Sequence, residues 1–227
     1  MTLSIITINY NNLEGLRKTI DSVLSQTWHD YEWIIIDGGS SDGSHELIEE
    51  TAARLQQLDF NPITYWCSEP DKGIYNAMNK GITHCNGEYV NFMNSGDEYT
   101  NEQVLNDIFK QKLHGDIVYG DWYEKYADKT VLRSIDANSI LLSLKEMNIC
   151  HQATFYKTSI LKEKGFDENF KYLSDWARNT EELFKGTKFQ HLCFPVCYYD
   201  MSGFSNNAPK DVLSAYFSYQ SPYTISP

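Results

Sequence analysis

Three carboxylates in this sequence stand where a carboxylate can do chemistry: Asp37, Asp97 and Asp175. Asp37 opens the run Asp37-Gly38-Gly39-Ser40-Ser41-Asp42-Gly43-Ser44, directly after an apolar segment. There it can accept a nucleoside N–H or a ribose hydroxyl. The same run also reads as a plain loop whose Ser41 or Asp42 caps the next helix. Asp97 lies in Asn94-Ser95-Gly96-Asp97-Glu98. A carboxylate there can hold Mg²⁺ or Mn²⁺, hard cations that take oxygen ligands and bridge diphosphate oxygens. Such a cation stabilises charge on a departing diphosphate; an acidic turn with no ligand is the plainer alternative. Asp175, in Tyr172-Leu173-Ser174-Asp175-Trp176, stands beside an aromatic residue at a predicted helix start. It can serve as general base for a hydroxyl, or simply complement the helix dipole.

Other chemistries lack their residues. The six histidines show neither H-x-x-x-H nor H-E-x-x-H spacing, which argues against a zinc site. The loop at 37–44 does not fit G-x-G-x-x-G, and no G-x-x-x-x-G-K-[ST] loop occurs. The net charge of −12 argues against nucleic acid as a partner. The five cysteines, at 67, 85, 150, 193 and 197, form no C-x-x-C pair and read as reduced, mostly buried thiols.

The elements that must position these residues alternate. Ser4–Ile8 is a short β-branched run, followed by the polar cluster Asn9–Asn12 and then by Leu13, Leu16, Ile20, Val23 and Leu24 at helical spacing. Strands are predicted again at Tyr31–Ile36, Ile63–Trp66 and Tyr89–Met93, with helices at about His45–Leu58 and Gly73–His84. This βαβαβαβ order predicts an α/β fold with a parallel sheet flanked by helices. Ligands of such sheets sit beyond the carboxyl ends of the strands. The polar clusters at 9–12, 37–44, 68–73 and 94–98 all fall there.

The second half is less regular. Strands are predicted at Asp116–Gly120, at Trp122–Tyr126 paired with Val131–Ile135, at His151–Tyr156 and within Phe189–Tyr199. Helices are predicted near Ser159–Lys164 and from a Ser174 cap to Phe184. No Gly-, Pro- or Ser-rich linker divides the chain, so one domain is expected over 1–227, with a polar C-terminal stretch from Ser205 that reads as disordered. No cationic, apolar leader opens the sequence and no run approaches the length of a membrane span. The expected location is the cytoplasm, with at most peripheral contact at the inner face of the membrane.

Four ordered segments together resemble glycosyltransferase family 2. They are Ser4–Asn11, Ser22-Val23-Leu24-Ser25-Gln26-Thr27, Ile34–Ser44, and Ser68-Glu69-Pro70-Asp71-Lys72-Gly73 continuing to Gly81. His151-Gln152-Ala153-Thr154-Phe155-Tyr156 and Ser174-Asp175-Trp176 are similar to a branch of small transferases of exopolysaccharide, capsule and colanic-acid clusters.

The resemblance implies a GT-A fold: a Rossmann-like, mostly parallel central sheet with a smaller acceptor-side β portion. It divides the domain into a nucleotide-sugar-binding half, 1–98, and an acceptor-side half, 99–227. It implies inverting transfer from a nucleotide-sugar, with UDP-sugars first in line, to a saccharide or lipid-linked saccharide in surface polysaccharide biosynthesis. Thr7, Asn9, Tyr10, Asp37, Asp71, Lys72, Gly73, Asn94 and Ser95 would bind the donor. Asp97 would hold Mg²⁺ or Mn²⁺, Asp175 would be the catalytic base, and His151 and Trp176 would face the acceptor.

One departure matters. Where the family's metal motif reads Asp-x-Asp-Asp, this chain has Asn94-Ser95-Gly96-Asp97, leaving one carboxylate. That motivates an alternative from another class, a nucleotide-sugar or carbohydrate-binding module without turnover. A sugar nucleotidyltransferase is a third reading.

Overall fold

The computed structural model describes residues 1–136 and 149–203. The stretch from Ser205 onward lies outside them. The first half runs Leu3–Asn9 (β1), Leu13–Leu24 (α1), Tyr31–Asp37 (β2), Ser44–Leu55 (α2), Ile63–Ser68 (β3), Ile74–His84 (α3) and Tyr89–Phe92 (β4). All seven residues of β1 and of β2 are buried, as expected of strands covered by helices on both faces. On α1, Leu16, Ile20 and Val23 form the buried stripe.

The second half adds Glu98–Tyr99 (β5), Val104–Phe109 (α4), Ile117–Lys125 (β6), Thr130–Arg133 (β7), Thr154–Lys157 (β8), Thr158–Glu163 (α5), Ser174–Phe184 (α6) and Phe189–Asp200 (β9). All strands join one sheet in the order β3-β2-β1-β4-β8-β6-β9-β5, with β7 beside β6. The pairs among β3, β2, β1 and β4 are parallel, whereas β8 is antiparallel to both β4 and β6. β6 and β9 are parallel to each other. Trp33, Phe92, Phe155, Tyr119 and Tyr156 are the largest fully buried side chains of the core.

Several local expectations are corrected. The segments predicted as separate strands at 116–120 and 122–126 are one strand, β6, whose partner β9 bulges opposite Asp121. His151 and Gln152 are not in a strand. A 3-10 turn at His151–Ala153 precedes β8, held by Asn91, whose Nδ2 donates to the carbonyls of Gln152 and Thr154, each at 2.9 Å. Ser174 is the first helical residue, not the cap. Its hydroxyl accepts from the Asp167 N–H at 2.8 Å, and Leu173 precedes it in the left-handed region at φ 64°. Gly43, at φ 97°, starts α2 in place of Ser41 or Asp42. The Asp42 carboxylate instead accepts from Leu13 N at 2.8 Å and Ser44 N at 3.1 Å, tying the loop to the start of α1.

Candidate active site

Register brings the tips of the first three strands together: Asn9 is paired with Asp37, and Asp37 with Ser68. The buried Asp37 carboxylate accepts from Asn9 Nδ2 at 2.7 Å, Ser40 N at 2.9 Å, Ser40 Oγ at 2.6 Å and Ser68 Oγ at 2.5 Å. Burial pushes its pKa up, but these donors outweigh burial and hold it below the ordinary carboxylate value. Above it, Gly38 is the floor between two side chains. A Cβ there would lie 3.1 Å from the Tyr10 ring and 3.2 Å from Asp71 Oδ2. Tyr10 is 67% exposed, an aromatic face open to solvent beside a cradle that a side chain at Gly38 would crowd. Asp71 is ion-paired with Lys80 at 2.6 Å, while Lys72 and Gly73 are exposed on the loop leading into α3. Thr7 stands apart from this group. Its hydroxyl is buried, donating to the Met93 carbonyl at 2.8 Å and accepting from Trp33 Nε1 at 2.9 Å.

The turn after β4 carries the next set. Thr19 of α1 anchors it: its Oγ1 lies 3.0 Å from Asn94 O, 2.8 Å from Asp97 O and 3.0 Å from Gly96 N. Ser95 is tied down through its backbone, its N–H donating to Ile8 O at 3.1 Å. Asp97 is buried, with one oxygen accepting from Asp200 N at 2.9 Å and the other from Gln152 Nε2 at 2.7 Å. Burial pushes its pKa up to about 7, against the pull of those two bonds and of His151.

Asp175 occupies the first turn of α6. Its Oδ1 accepts from Tyr75 Oη at 2.9 Å, and its Oδ2 lies 3.4 Å from His151 Nδ1. The other ring nitrogen of His151 is 2.9 Å from Asn94 Nδ2. An amide N–H donating to Nε2 leaves the proton on Nδ1, directed at Asp175. Burial pushes the Asp175 pKa up. His151 and Tyr75 more than offset this, and the carboxyl stays below its ordinary value. Asp175 is thus a buried carboxylate held in its ionised form. Trp176, next along, is 7% exposed within the core.

The 3-10 turn therefore couples the two carboxylates. Gln152 holds Asp97 while its neighbour His151 faces Asp175 and touches Asn94. Sequence reasoning left Thr19, Tyr75 and Gln152 unassigned. Tyr75 and Gln152 stand inside the segments that carried the family resemblance; nothing in the sequence marks Thr19.

The sequence profile of glycosyl transferase family 2 matches residues 4–181. The chain belongs to this family. It is 33% identical over 181 residues to an uncharacterized glycosyltransferase of Mycobacterium tuberculosis, covering 77% of this chain and 66% of that one. It is 27% identical over 211 residues to a PGL/p-HBAD biosynthesis glycosyltransferase of the same species, covering 89% and 78%. Among solved structures it is similar to TarS of S. aureus in complex with UDP (TM-score 0.70, 18% identity, 88% of this chain and 60% of that one). It is also similar to the mannosyltransferase PcManGT of Pyrobaculum calidifontis in complex with GDP-Man and Mn²⁺ (TM-score 0.68, 16% identity, 99% and 65%). The chain thus spans about two thirds or less of the first relative and of these two structures. The fold is the GT-A fold of these glycosyltransferases. No helix among the described residues is long and apolar enough to cross a membrane.

Among the described residues no three His, Cys, Asp or Glu side chains gather as a metal cluster. Two observations still fit a divalent cation shared with a ligand. Asp97 offers a carboxylate, and Asn94 Oδ1 is a buried oxygen without a hydrogen-bond partner. One or two protein oxygens suffice for Mg²⁺ when diphosphate supplies the remainder.

Proposed function

We propose that this protein is an inverting glycosyltransferase. It moves a sugar from a nucleotide-sugar, preferentially a UDP-sugar, to a saccharide or lipid-linked saccharide in surface polysaccharide biosynthesis. The observation that carries this reading is the pairing made by one turn: His151 against Asp175, Gln152 against Asp97.

The nucleoside lies in the cradle over Gly38, against the Tyr10 ring, with the Asn9–Asp37–Ser40 network beneath it. Asp71, Lys72 and Gly73 border the donor, and Asn94 and Ser95 face its ribose or phosphate. Mg²⁺ or Mn²⁺ held by Asp97 and Asn94 Oδ1 would offset the charge of the diphosphate. Asp175 accepts the proton of the acceptor hydroxyl as that oxygen attacks the anomeric carbon. The proton of His151 Nδ1 and the Tyr75 hydroxyl keep the carboxylate ionised and fix its orientation until then. One displacement from the face opposite the leaving group inverts the configuration, with no protein nucleophile. His151 belongs to the acceptor side, whereas Trp176 is packed in the core.

A panel of UDP- and GDP-sugars with saccharide acceptors, with and without Mn²⁺, tests this. Release of nucleoside diphosphate with an inverted anomeric centre, read by NMR, is expected. A second reading, donor binding without turnover, is favoured by the fact that both Asp97 oxygens already accept hydrogen bonds. UDP binding unaffected by Mn²⁺, with no turnover of any donor, selects it. Pyrophosphate release would point to nucleotidyl transfer.

A further inference from the structure

A second group of chemically competent side chains lies where β6 and β9 run side by side. Pairing continues from Gly120 with Leu192 to Asp121 with Pro195, so Cys193 and Phe194 are left over as a bulge on β9. The bulge is locked against Gly120, where a Cβ would lie 2.5 Å from Val196 Cγ2 and 2.9 Å from Phe194 O. Bulges re-aim side chains, and here the result is an exposed Cys193. Cys85, Cys150 and Cys197 are buried, and Cys67 is partly so.

The Cys193 Sγ lies 3.8 Å from His191 Nδ1, and the opposite ring nitrogen, Nε2, lies 2.7 Å from Asp121 Oδ1. A carboxylate can only accept, so Nε2 carries the proton and Nδ1 keeps its lone pair toward the thiol. The ring of Tyr119 stacks on the imidazole with centroids 5.1 Å apart, and the Tyr119 hydroxyl is held by Ile135 O at 3.0 Å. His191 and Asp121 are only 11% and 12% exposed, so the pair is ordered while the sulfur is accessible. Among the described residues, Asp136 and Asp121 are the carboxylates whose charge acts on the Tyr119 hydroxyl beside the imidazole. Thiol, imidazole and carboxylate thus stand in the order that activates a nucleophile.

We propose that Cys193 is a nucleophilic thiol that undergoes S-thiolation by small-molecule disulfides, with His191 as its base and Asp121 orienting the imidazole. The Cys193 sulfur attacks one sulfur of the disulfide as His191 Nδ1 takes the thiol proton. A Cys193–S bond forms, the S–S bond of the reagent breaks, and the departing thiolate takes the proton back from His191. No other oxidant is required. The proposal is independent of glycosyl transfer.

The test is the rate of reaction of the full chain with an aromatic disulfide that releases a coloured thiolate, with the modified cysteine located by peptide mass mapping. At pH 6.5 Cys193 should react at least about tenfold faster than the thiol of glutathione measured alongside, as expected for an internal base. Its rate should fall by less than the roughly tenfold per pH unit of a thiol reacting only through its thiolate fraction. Cys193→Ser should abolish the fast phase. His191→Gln should remove the advantage and restore the ordinary pH slope, with the rate at Cys67 unchanged. Asp121→Asn should slow the reaction by a smaller factor. A wild-type rate no greater than that of glutathione, or an ordinary pH slope, overturns the proposal whatever the variants do. So does an unaltered rate in a folded His191→Gln.

Discussion

The two ends of the parallel half-sheet both bury carboxylates, and they treat them differently. At the lower end, Glu32 is 1% exposed and gathers donors from the start of each strand. Ser4 Oγ reaches it at 2.6 Å, Thr64 Oγ1 at 3.2 Å, Asn86 Nδ2 at 3.1 Å and Gly87 N at 3.3 Å, with the Asn86 N–H bonded as well. None of the side chains that bond Glu32 is left with an unpartnered buried atom. At the upper end, Asp37, Asp97 and Asp175 are also hydrogen-bonded, yet Asn9 Oδ1, Asn94 Oδ1 and Ser44 Oγ are buried without partners. Orphaned buried polar atoms are uncommon and call for a reason. At the lower end the protein completes its own network. At the upper end it leaves acceptors unfilled, in the place where strands of this kind receive ligands.

The comparison predicts opposite consequences for removing a carboxylate. Asp175→Asn keeps size and most hydrogen bonds but cannot accept the proton. Turnover should fall by about 10²–10⁴-fold, with UDP affinity by calorimetry within a factor of about two of wild type. Unchanged turnover would remove Asp175 as the base. Glu32→Ala should do the reverse. It strands the donors of Ser4, Asn86 and Gly87 and should cost about 2–4 kcal/mol in urea unfolding, while kcat per folded molecule stays near wild type. A fall in kcat as large as that of Asp175→Asn would erase the distinction between the two ends.

Acid sharpens the same contrast. Burial pushes the Glu32 pKa up, but hydrogen bonds from Ser4, Asn86 and Thr64 outweigh it and set the folded value below 4.5. A carboxylate with a depressed folded pKa stabilises the fold fully above its unfolded pKa. That contribution is lost as pH falls through the folded value. Wild type and Glu32→Gln should therefore differ most near neutrality and converge as pH drops below about 4.5. A gap that holds constant down to pH 3 would show that the stabilisation does not come from the ionised carboxylate.

Much of the upper end was legible in the sequence. Short β-branched runs ending in polar clusters read by their length as buried strands with loops at one edge, and they located Asn9, Asp37, Ser68 and Asn94. The second half was harder, because its pairings are long-range. Nothing local joins Asp97 to the backbone of Asp200, or Gln152 to Asp97. The run His151–Tyr156 alternates well enough to pass for a strand. Asn91, reaching over from β4 to two carbonyls, and the bonds of Ala153 N and Thr154 Oγ1 to Cys150 O hold its first three residues as a 3-10 turn. The closed end was invisible for a related reason: Glu32 alone in a strand pattern reads as a surface charge until Ser4, Thr64 and Asn86 arrive beside it.

Within the upper end, Asp97 and Asp37 separate by what a ligand adds. Asp97→Asn preserves an acceptor for Asp200 N and removes the negative charge that attracts a cation. Any Mn²⁺-dependent gain in UDP affinity should shrink by about tenfold or vanish, roughly the effect of one charge-assisted contact. Calorimetry with and without Mn²⁺ reads this directly. An undiminished Mn²⁺ effect would move the cation away from the turn at 94–97.

The smallest effect expected is at Ser68. Its hydroxyl is one of four donors on Asp37, the nearest at 2.5 Å, and comes from the outermost of the three strand tips. Ser68→Ala leaves Asn9 Nδ2, Ser40 N and Ser40 Oγ in place. The loss should be about 1 kcal/mol in stability, the net worth of one such bond. If Asp37 only stiffens the strand tips, nucleoside affinity should be untouched. If Asp37 itself meets the nucleoside, removing a competing donor frees a lone pair on the carboxylate, and UDP should bind as well or slightly tighter despite the less stable fold. Weaker UDP binding in Ser68→Ala would mean that the serine hydroxyl orients the carboxylate for the ligand. The upper end would then resemble the lower one, a finished network that the ligand meets only at its rim.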